Sequence, residues 1–334
     1  MMKNNMKGAK MRKNILFTTI VFLMLTTMHI TLLPQEKLKI AIVPKSGSAL
    51  FWKSVKVGAK LGATALSGVE IVWNAPESED DIQQQISILE QNIASGVSGI
   101  VLSPIHKDAL AVTVSKAMSK GIPVLIFDSV LKGEAGKDFI CFVGIDNRKA
   151  GKLAGEHLAK LLNYSGKVVL FRYVKGQGNT TEREEGFLDA IKAYNKIQVV
   201  EKDCYAGGTV EEAKKASEGI LNKLRSANGV FCPNELSTIG MMLTLQKANL
   251  AGKIKFIGFD TPTIVVEALK KGEIDALIAQ DPARIGYQSV KCIVDYIRGT
   301  KIPTIVDIDV KIVTKENIDD PEIQKLLALP SVTE

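Results

Sequence analysis

Apolar runs that stop on a single polar residue recur along this chain. IPVLIF ends on Asp128, GVFCP on Asn234, KIKFIGF on Asp260 and IDALIA on Gln280. A strand that reads as a near-continuous apolar run is buried on both faces, which is the habit of parallel sheets covered by helices. Ligands of open α/β sheets sit beyond the carboxyl ends of the strands. Four such ends carrying Asp, Asn or Gln therefore predict a polar cleft lined by strand ends.

Strands and amphipathic helices alternate around these runs. KIAIV at 39–43 leads to a helix over 50–66, then a strand at 69–73. ESEDD reads as a capping stretch for a helix over 82–94, its acidic residues suited to a helix N-terminus. A strand at 99–104 and a helix over 107–119 follow, the helix ended by Gly121 as a left-handed cap. After the strands IPVLIFD and FICFVGID a second series begins. Helices over 147–162, 180–194, 209–225, 236–248, 262–271 and 282–298 are interleaved with strands at KVVLFRYV, IQVVEKDCY, GVFCPN, KIKFIGFD and IDALIAQD, and strands near 304–314 close the chain. This spacing is that of βαβ units. One sheet of so many strands would be unusually wide, so two sheets with a cleft between them are expected.

The 334 residues allow two domains, and 46% apolar with 24% charged residues is ordinary for a globular protein. The formal charge of +7 is uneven: Lys3, Lys7, Lys10, Arg12 and Lys13 supply five positive charges, leaving +2 for the rest. That near-neutral remainder argues against nucleic acid as a partner. The basic start precedes an apolar stretch from Ile15 to Leu33. This reads as an export signal, with the mature chain starting near Gln35 in a periplasmic or other extracytoplasmic space; an uncleaved anchor is the alternative. Cys141, Cys204, Cys232 and Cys292 show no C-x-x-C spacing, and His29, His106 and His157 form no cluster. Neither a metal nor a cofactor is expected.

The segments ALFWKSVKVGA, FDS, TEREEGF, CPNE, IGFD and IAQDPARIG, in this order and spacing, resemble the periplasmic sugar-binding proteins of the ribose-binding type. The likeness runs from about Leu38 to Glu316. It implies two Rossmann-like α/β lobes with parallel-sheet cores, joined by a three-crossing hinge, with one sugar or polyol held in the cleft. The crossings it implies lie near Gly144–Asp146, Gln280–Asp281 and Asp309–Val310. Residues 36–144 plus 281–309 then form lobe 1, and 145–280 plus 310–334 form lobe 2. The implied ligand contacts are Phe51, Trp52, Asp128, Arg183, Tyr205, Asn234, Asp260 and Gln280. The implied partner is an ABC-type membrane permease, served by a monomer.

The chemistry of these residues fits a polyol. Ionised Asp128 and Asp260 accept hydrogen bonds, and Arg183 offers donors in a planar fork. Asn234 and Gln280 donate and accept, matching hydroxyls that do both, while Phe51, Trp52 and Tyr205 can cover C–H faces. Each has a plainer role open to it. Phe51 and Trp52 suit a helix core, Arg183 sits among Glu182, Glu184 and Glu185 as on a solvated helix, and both aspartates suit helix N-caps. The chain also departs from the ribose pattern. Asp128-Ser129 stands where Asp-Arg is common, which puts ribose itself in doubt. Lys45 in VPK, with Ser129 and Pro233, is similar to the autoinducer-2 receptors of the same superfamily, so Lys45 and Ser129 join the candidate contacts.

The alternative reading is a sensor of a sugar or an autoinducer-2-like ligand that feeds a chemoreceptor without transport. A transcription regulator would need a helix-turn-helix where the apolar segment stands. An enzyme is not expected: PKSGSALFW lacks G-x-G-x-x-G, GQG at 176–178 does not restore it, and no nucleophile–histidine–acid set is evident.

Overall fold

The computed structural model describes residues 37–328, so the export signal expected at 1–35 lies outside the described residues. The first series is β1 (Leu38–Val43), α1 (Leu50–Leu66), β2 (Val69–Trp73), α2 (Ile82–Ala94), β3 (Gly99–Leu102), α3 (Ala111–Ser119), β4 (Val124–Phe127) and β5 (Cys141–Gly144). Then come α4 (Asn147–Leu161), β6 (Gly166–Leu170), α5 (Gly178–Ile191), β7 (Ile197–Glu201), α6 (Val210–Gly219), α7 (Leu221–Ser226), β8 (Gly229–Phe231), α8 (Glu235–Lys247), β9 (Lys255–Phe259), α9 (Thr263–Lys271) and β10 (Ala276–Ala279). The chain closes with α10 (Pro282–Ile297), β11 (Ile305–Asp307), β12 (Lys311–Thr314) and α11 (Pro321–Leu327).

The strands form two six-stranded sheets, ordered β11-β5-β4-β3-β1-β2 and β12-β10-β9-β8-β6-β7. The orders correspond, so that β1 matches β6, β4 matches β9 and β5 matches β10. The pairs are parallel except at one edge, where β12 runs antiparallel to β10. The runs GIVL of β3, VLIF of β4 and ALIA of β10 are buried at every position, whereas VEIVW of β2, at a sheet edge, is half-buried. The chain changes sheets after β5, after β10 and between β11 and β12. Helix α10 follows β10 of the second sheet yet packs on α1 and on β3, β4 and β5 of the first. The result is two α/β lobes, each with a largely parallel six-stranded sheet at its centre.

In each lobe one pair of helices is pressed together backbone to backbone. In α1, a Cβ on Gly58 would stand 1.8 Å from the carbonyl oxygen of Ala283 in α10. In α4, a Cβ on Gly151 would stand 1.9 Å from the carbonyl oxygen of Arg183 in α5. The two seams occupy matching places, since α1 follows β1 as α5 follows β6.

Three elements differ from the sequence expectation. Helix α3 begins only at Ala111, after turns in which His106 Nδ1 accepts from the Asp108 and Ala109 amides (3.2 and 3.3 Å) and the Lys107 amide donates to the Gly176 carbonyl across the cleft (3.2 Å). The helix expected over 209–225 is broken at Ile220, just after Gly219, a weak helix former. Helix α11 was not expected, although Asp320-Pro321 is a start signal, with proline at the first helical position.

Gly151→Ala should lower stability by about 3 kcal/mol, because the helix pair must separate to admit a methyl group. Gly219→Ala, with nothing within 4 Å of the added carbon, should instead gain about 0.5–1 kcal/mol. Urea unfolding of the two variants checks both signs.

Candidate functional site

The site is built from loops at the carboxyl ends of the strands of both sheets. In lobe 1 a buried glutamine pins two of these loops together. Gln85 of α2 donates from Nε2 to the carbonyls of Pro44 (3.0 Å) and Ser103 (2.8 Å), and its Oε1 accepts from the Ile105 amide (2.8 Å). This fixes the exits of β1 and β3, and with them Lys45 and Ser103. The Ser103 hydroxyl donates to Asp128 Oδ2 (3.0 Å) at the exit of β4.

Asp128 and Asp260 hold matching places at the ends of β4 and β9, and both have left-handed backbone, with φ of 59° and 67°. That conformation is uncommon for residues other than glycine and is cheapest for Asp and Asn. Their amides still extend the ladders, donating to the carbonyls of Val143 and Ile278 (2.9 Å each). The backbone then turns each carboxylate toward the space between the sheets. Neither aspartate is a helix cap; Pro262 occupies the cap position of α9. Burial raises the Asp260 carboxyl above the usual range, opposed by Arg183 and by the Gln280 amide, which donates to Oδ1 (2.8 Å).

Arg183 of α5 is only 1% exposed. Its Nε donates to Asn147 Oδ1 (2.8 Å) and its Nη1 to the Pro233 carbonyl (2.9 Å). The guanidinium lies 3.8 Å from the ring centroid of Phe259, and Nη2 is 3.9 Å from Asp128 Oδ1. Burial lowers its pKa, while Asp260 and Asp128 oppose that. Lys45, also 1% exposed, donates to Gln177 Oε1 (2.9 Å) and Asn179 Oδ1 (2.8 Å), with Asp128 Oδ2 at 3.5 Å. Burial lowers its pKa, against the pull of Asp128 and Glu79. Glu79 accepts from Trp52 Nε1 (2.6 Å) and from the Tyr173 hydroxyl (3.2 Å), and burial raises its carboxyl.

These groups enclose a cavity of about 30 Å³. Lys45, Phe51, Trp52, Asp128, Arg183, Asn234, Asp260 and Gln280 line it, eight of the ten candidates named from the sequence. Phe51 and Trp52 meet edge to face, with ring centroids 4.8 Å apart. Asn234 also caps α8, its side chain accepting from the Ser237 amide (3.2 Å). Ser129 is buried but stands behind the lining, where its hydroxyl oxygen accepts from the Asn179 amide (3.4 Å). Tyr205 stands apart from these residues. Its ring is 41% exposed and lies beside the Arg172 guanidinium, outside the lining.

Sequence reading missed Glu79, Gln177, Asn179, Thr180 and Glu235, all of which line the cavity. Glu79 was absorbed into the capping stretch ESEDD, of which Asp81 does the capping, accepting from the Gln84 amide (2.8 Å). Gln177 and Asn179 lie in the GQGN segment, and Glu235 follows the recognised Asn234.

Three buried polar atoms among the described residues have no hydrogen-bond partner: Thr180 Oγ1, Arg183 Nη2 and Gln280 Oε1. All three belong to lining residues. Together they are a donor, an acceptor and a hydroxyl that can be either, the set that a hydroxylated ligand satisfies. A wider groove of about 780 Å³ shares Phe51, Glu235, Asp260 and Gln280 with the cavity, and its other walls mix apolar residues such as Leu50, Leu61 and Leu326 with polar ones such as Thr261, Arg284 and Lys325. Converging polar groups make the small cavity the better candidate.

The chain matches the model of the periplasmic binding protein domain over residues 40–301. It is 31% identical to the D-ribose/D-allose-binding protein of Pseudomonas aeruginosa, covering 79% of this chain and 82% of that one. It is 26% identical to the ribose import binding protein of Escherichia coli, covering 83% and 90%. A solute-binding protein of an ABC transporter from Agrobacterium vitis, solved with bound D-fucose, superposes with a TM-score of 0.84 at 32% identity, covering 87% of this chain and all of that one. One from Actinobacillus succinogenes with bound D-allose gives 0.76 at 28% identity, covering 84% and 98%.

Beside the site, Glu184 accepts from Arg172 Nη1 (2.6 Å) and from the Tyr173 amide (3.0 Å), and burial raises its carboxyl to about 7. A carboxyl held above its unfolded range adds stability that is fully present below the unfolded value, near 4.5, and is lost as pH rises through 7. The stability of the wild type relative to Glu184→Gln should therefore be greatest near pH 4.5 and shrink by pH 8. Melting temperatures of the pair across that range check the slope; a difference that grows with pH contradicts it.

Proposed function

The chain belongs to the periplasmic binding protein family, and on that premise we propose that it is an extracytoplasmic solute-binding protein that captures a monosaccharide or closely related polyol and delivers it to an ABC-type permease. The observation that carries this reading is the set of unpartnered buried atoms on Thr180, Arg183 and Gln280. Each costs about 1–3 kcal/mol while unmet, a cost that ligand hydroxyls remove. The sugars bound by the relatives support the same class.

In this reading Asp128 and Asp260 accept from ring hydroxyls, and Lys45 and Arg183 donate to them. Asn234, Gln280 and Thr180 serve hydroxyls that both give and take. Phe51 and Trp52 cover the C–H faces. Ser129 acts from behind by holding the Asn179 amide, and Tyr205 has no part in the contact.

A cavity of about 30 Å³ has room for about one water molecule, far less than a sugar ring. The ligand therefore enters when the lobes part about the crossings near 144–146, 280–281 and 309–310. It then holds the lobes together around itself, less tightly shut than in the form described, through contacts from both lobes. The neutral character of residues 36–334 and the basic, apolar segment before them support export by an N-terminal signal. A role as a carrier, with binding chemistry and no reaction, agrees with the family.

A thermal-shift screen against pentoses, hexoses, inositols and autoinducer-2 tests the reading, using protein unfolded and refolded beforehand to strip carried-over ligand. A true ligand at one hundred times its dissociation constant should stabilise by about 2.7 kcal/mol. Asp260→Ala should abolish that shift and leave the fold intact. A shift that survives in Asp260→Ala sinks this placement of the site, and silence across the panel sinks the ligand class.

A further inference from the structure

We propose that Glu235 is a closing latch, a carboxylate of one lobe that caps the first helix of the other lobe when the cleft is shut. Helix α1 has no cap of its own. Ala49 holds its cap position, no side chain of the loop bonds its first amides, and its first turn contains no acidic residue. Free amides at a helix N-terminus, with the positive end of the helix dipole, attract an anion. Glu235 supplies one from across the cleft. Its Oε1 accepts from the Leu50 amide and its Oε2 from the Phe51 amide, each at 3.0 Å, and the residue is buried.

Several features make this contact part of closure and not simple packing. Glu235 opens α8, after β8 of the second sheet, whereas α1 follows β1 of the first. The contact therefore joins two bodies that move apart in the reading above, on which this inference rests for its ligand. The backbone of Glu235 is itself tied to the binding residues, since its amide donates to Asp260 Oδ2 (3.0 Å) and Asp260 Oδ1 accepts from Gln280. A ligand that orders Asp260 thus sets the position from which the carboxylate reaches α1.

The opposite lobe carries a weaker counterpart. Helix α5, which matches α1, also lacks a side-chain cap at Gln177, and the hydroxyl of Ser129 from lobe 1 accepts from its Asn179 amide at 3.4 Å. The Glu235 contact is the shorter; burial and the nearby Asp260 raise its carboxyl to about 7, against the two amides of α1, so it carries a charge above that pH. Glu235 is a positioning residue here: it stabilises closure of the cleft, through a helix end.

The test compares wild type with Glu235→Ala and Glu235→Gln in the exported chain. Amide hydrogen exchange at Leu50 and Phe51 is read without ligand, and association and dissociation rates are read with the sugar found by the screen. Glu235→Ala should keep its far-ultraviolet dichroism while both amides lose protection. Ligand dissociation should speed up about tenfold with association little changed, in line with the worth of a helix cap. Glu235→Gln retains one strong acceptor, so it should restore protection at one amide and part of the lifetime. Equal protection and equal dissociation in Glu235→Ala and wild type would overturn the latch. If the alanine variant does not fold, the glutamine variant decides, and no loss at either amide overturns the proposal. If no sugar binds wild type, the ligand reading fails, while the ligand-free exchange comparison still judges the latch.

Discussion

Arg183 keeps a positive charge in the middle of the molecule, 1% exposed, and much of the site follows from that constraint. A buried guanidinium is costly unless its donors and its charge are met. Asn147 and the Pro233 carbonyl meet two donors, Phe259 lies against its face, and Asp128 and Asp260 supply opposing charge from the two sheets. Asn147 stands beside the first crossing and Pro233 at the exit of β8, so the same side chain ties the hinge to the second sheet. One nitrogen remains unmet, at the cavity.

The two lobes solve one geometric problem twice. Each brings an aspartate to the end of its fourth strand in left-handed backbone, and each presses two helices together where a glycine permits it. Strained backbone of this kind persists when its surroundings over-determine it. Here the ladder bonds from the two aspartate amides and the buried strand residues just before them do so. The two halves, each with a strained, polar edge, are joined by three short crossings.

The elements that read well in the sequence are those whose burial is complete. IPVLIF, KIKFIGF and IDALIA had to be covered strands, and their terminal Asp128, Asp260 and Gln280 had to emerge at one edge. Arg183 was legible through the family likeness, since its immediate neighbours Glu182, Glu184 and Glu185 describe a solvated helix. The misses share a cause. Glu79, Gln177, Asn179 and Glu235 take their roles from partners 27 to 185 residues away, which local pattern does not record. Tyr205, named through the family likeness, stands outside the lining, with the Arg172 guanidinium over its ring. The break at Ile220 and the late start of α3 are likewise tertiary effects or single weak residues inside a good periodic pattern.

The order in which the strands enter the two sheets constrains how the protein can be made. β11 and β12, at 305–307 and 311–314, complete one sheet each, and α10, which covers the first sheet, is not finished until Ile297. A chain emerging from its N-terminus can assemble β1 to β5 early, yet that first half stays uncovered on one side until nearly nine-tenths of the residues exist. Non-local contacts of this kind slow folding and keep the growing polypeptide open. Late completion of both halves therefore delays the compact state until the chain is nearly whole.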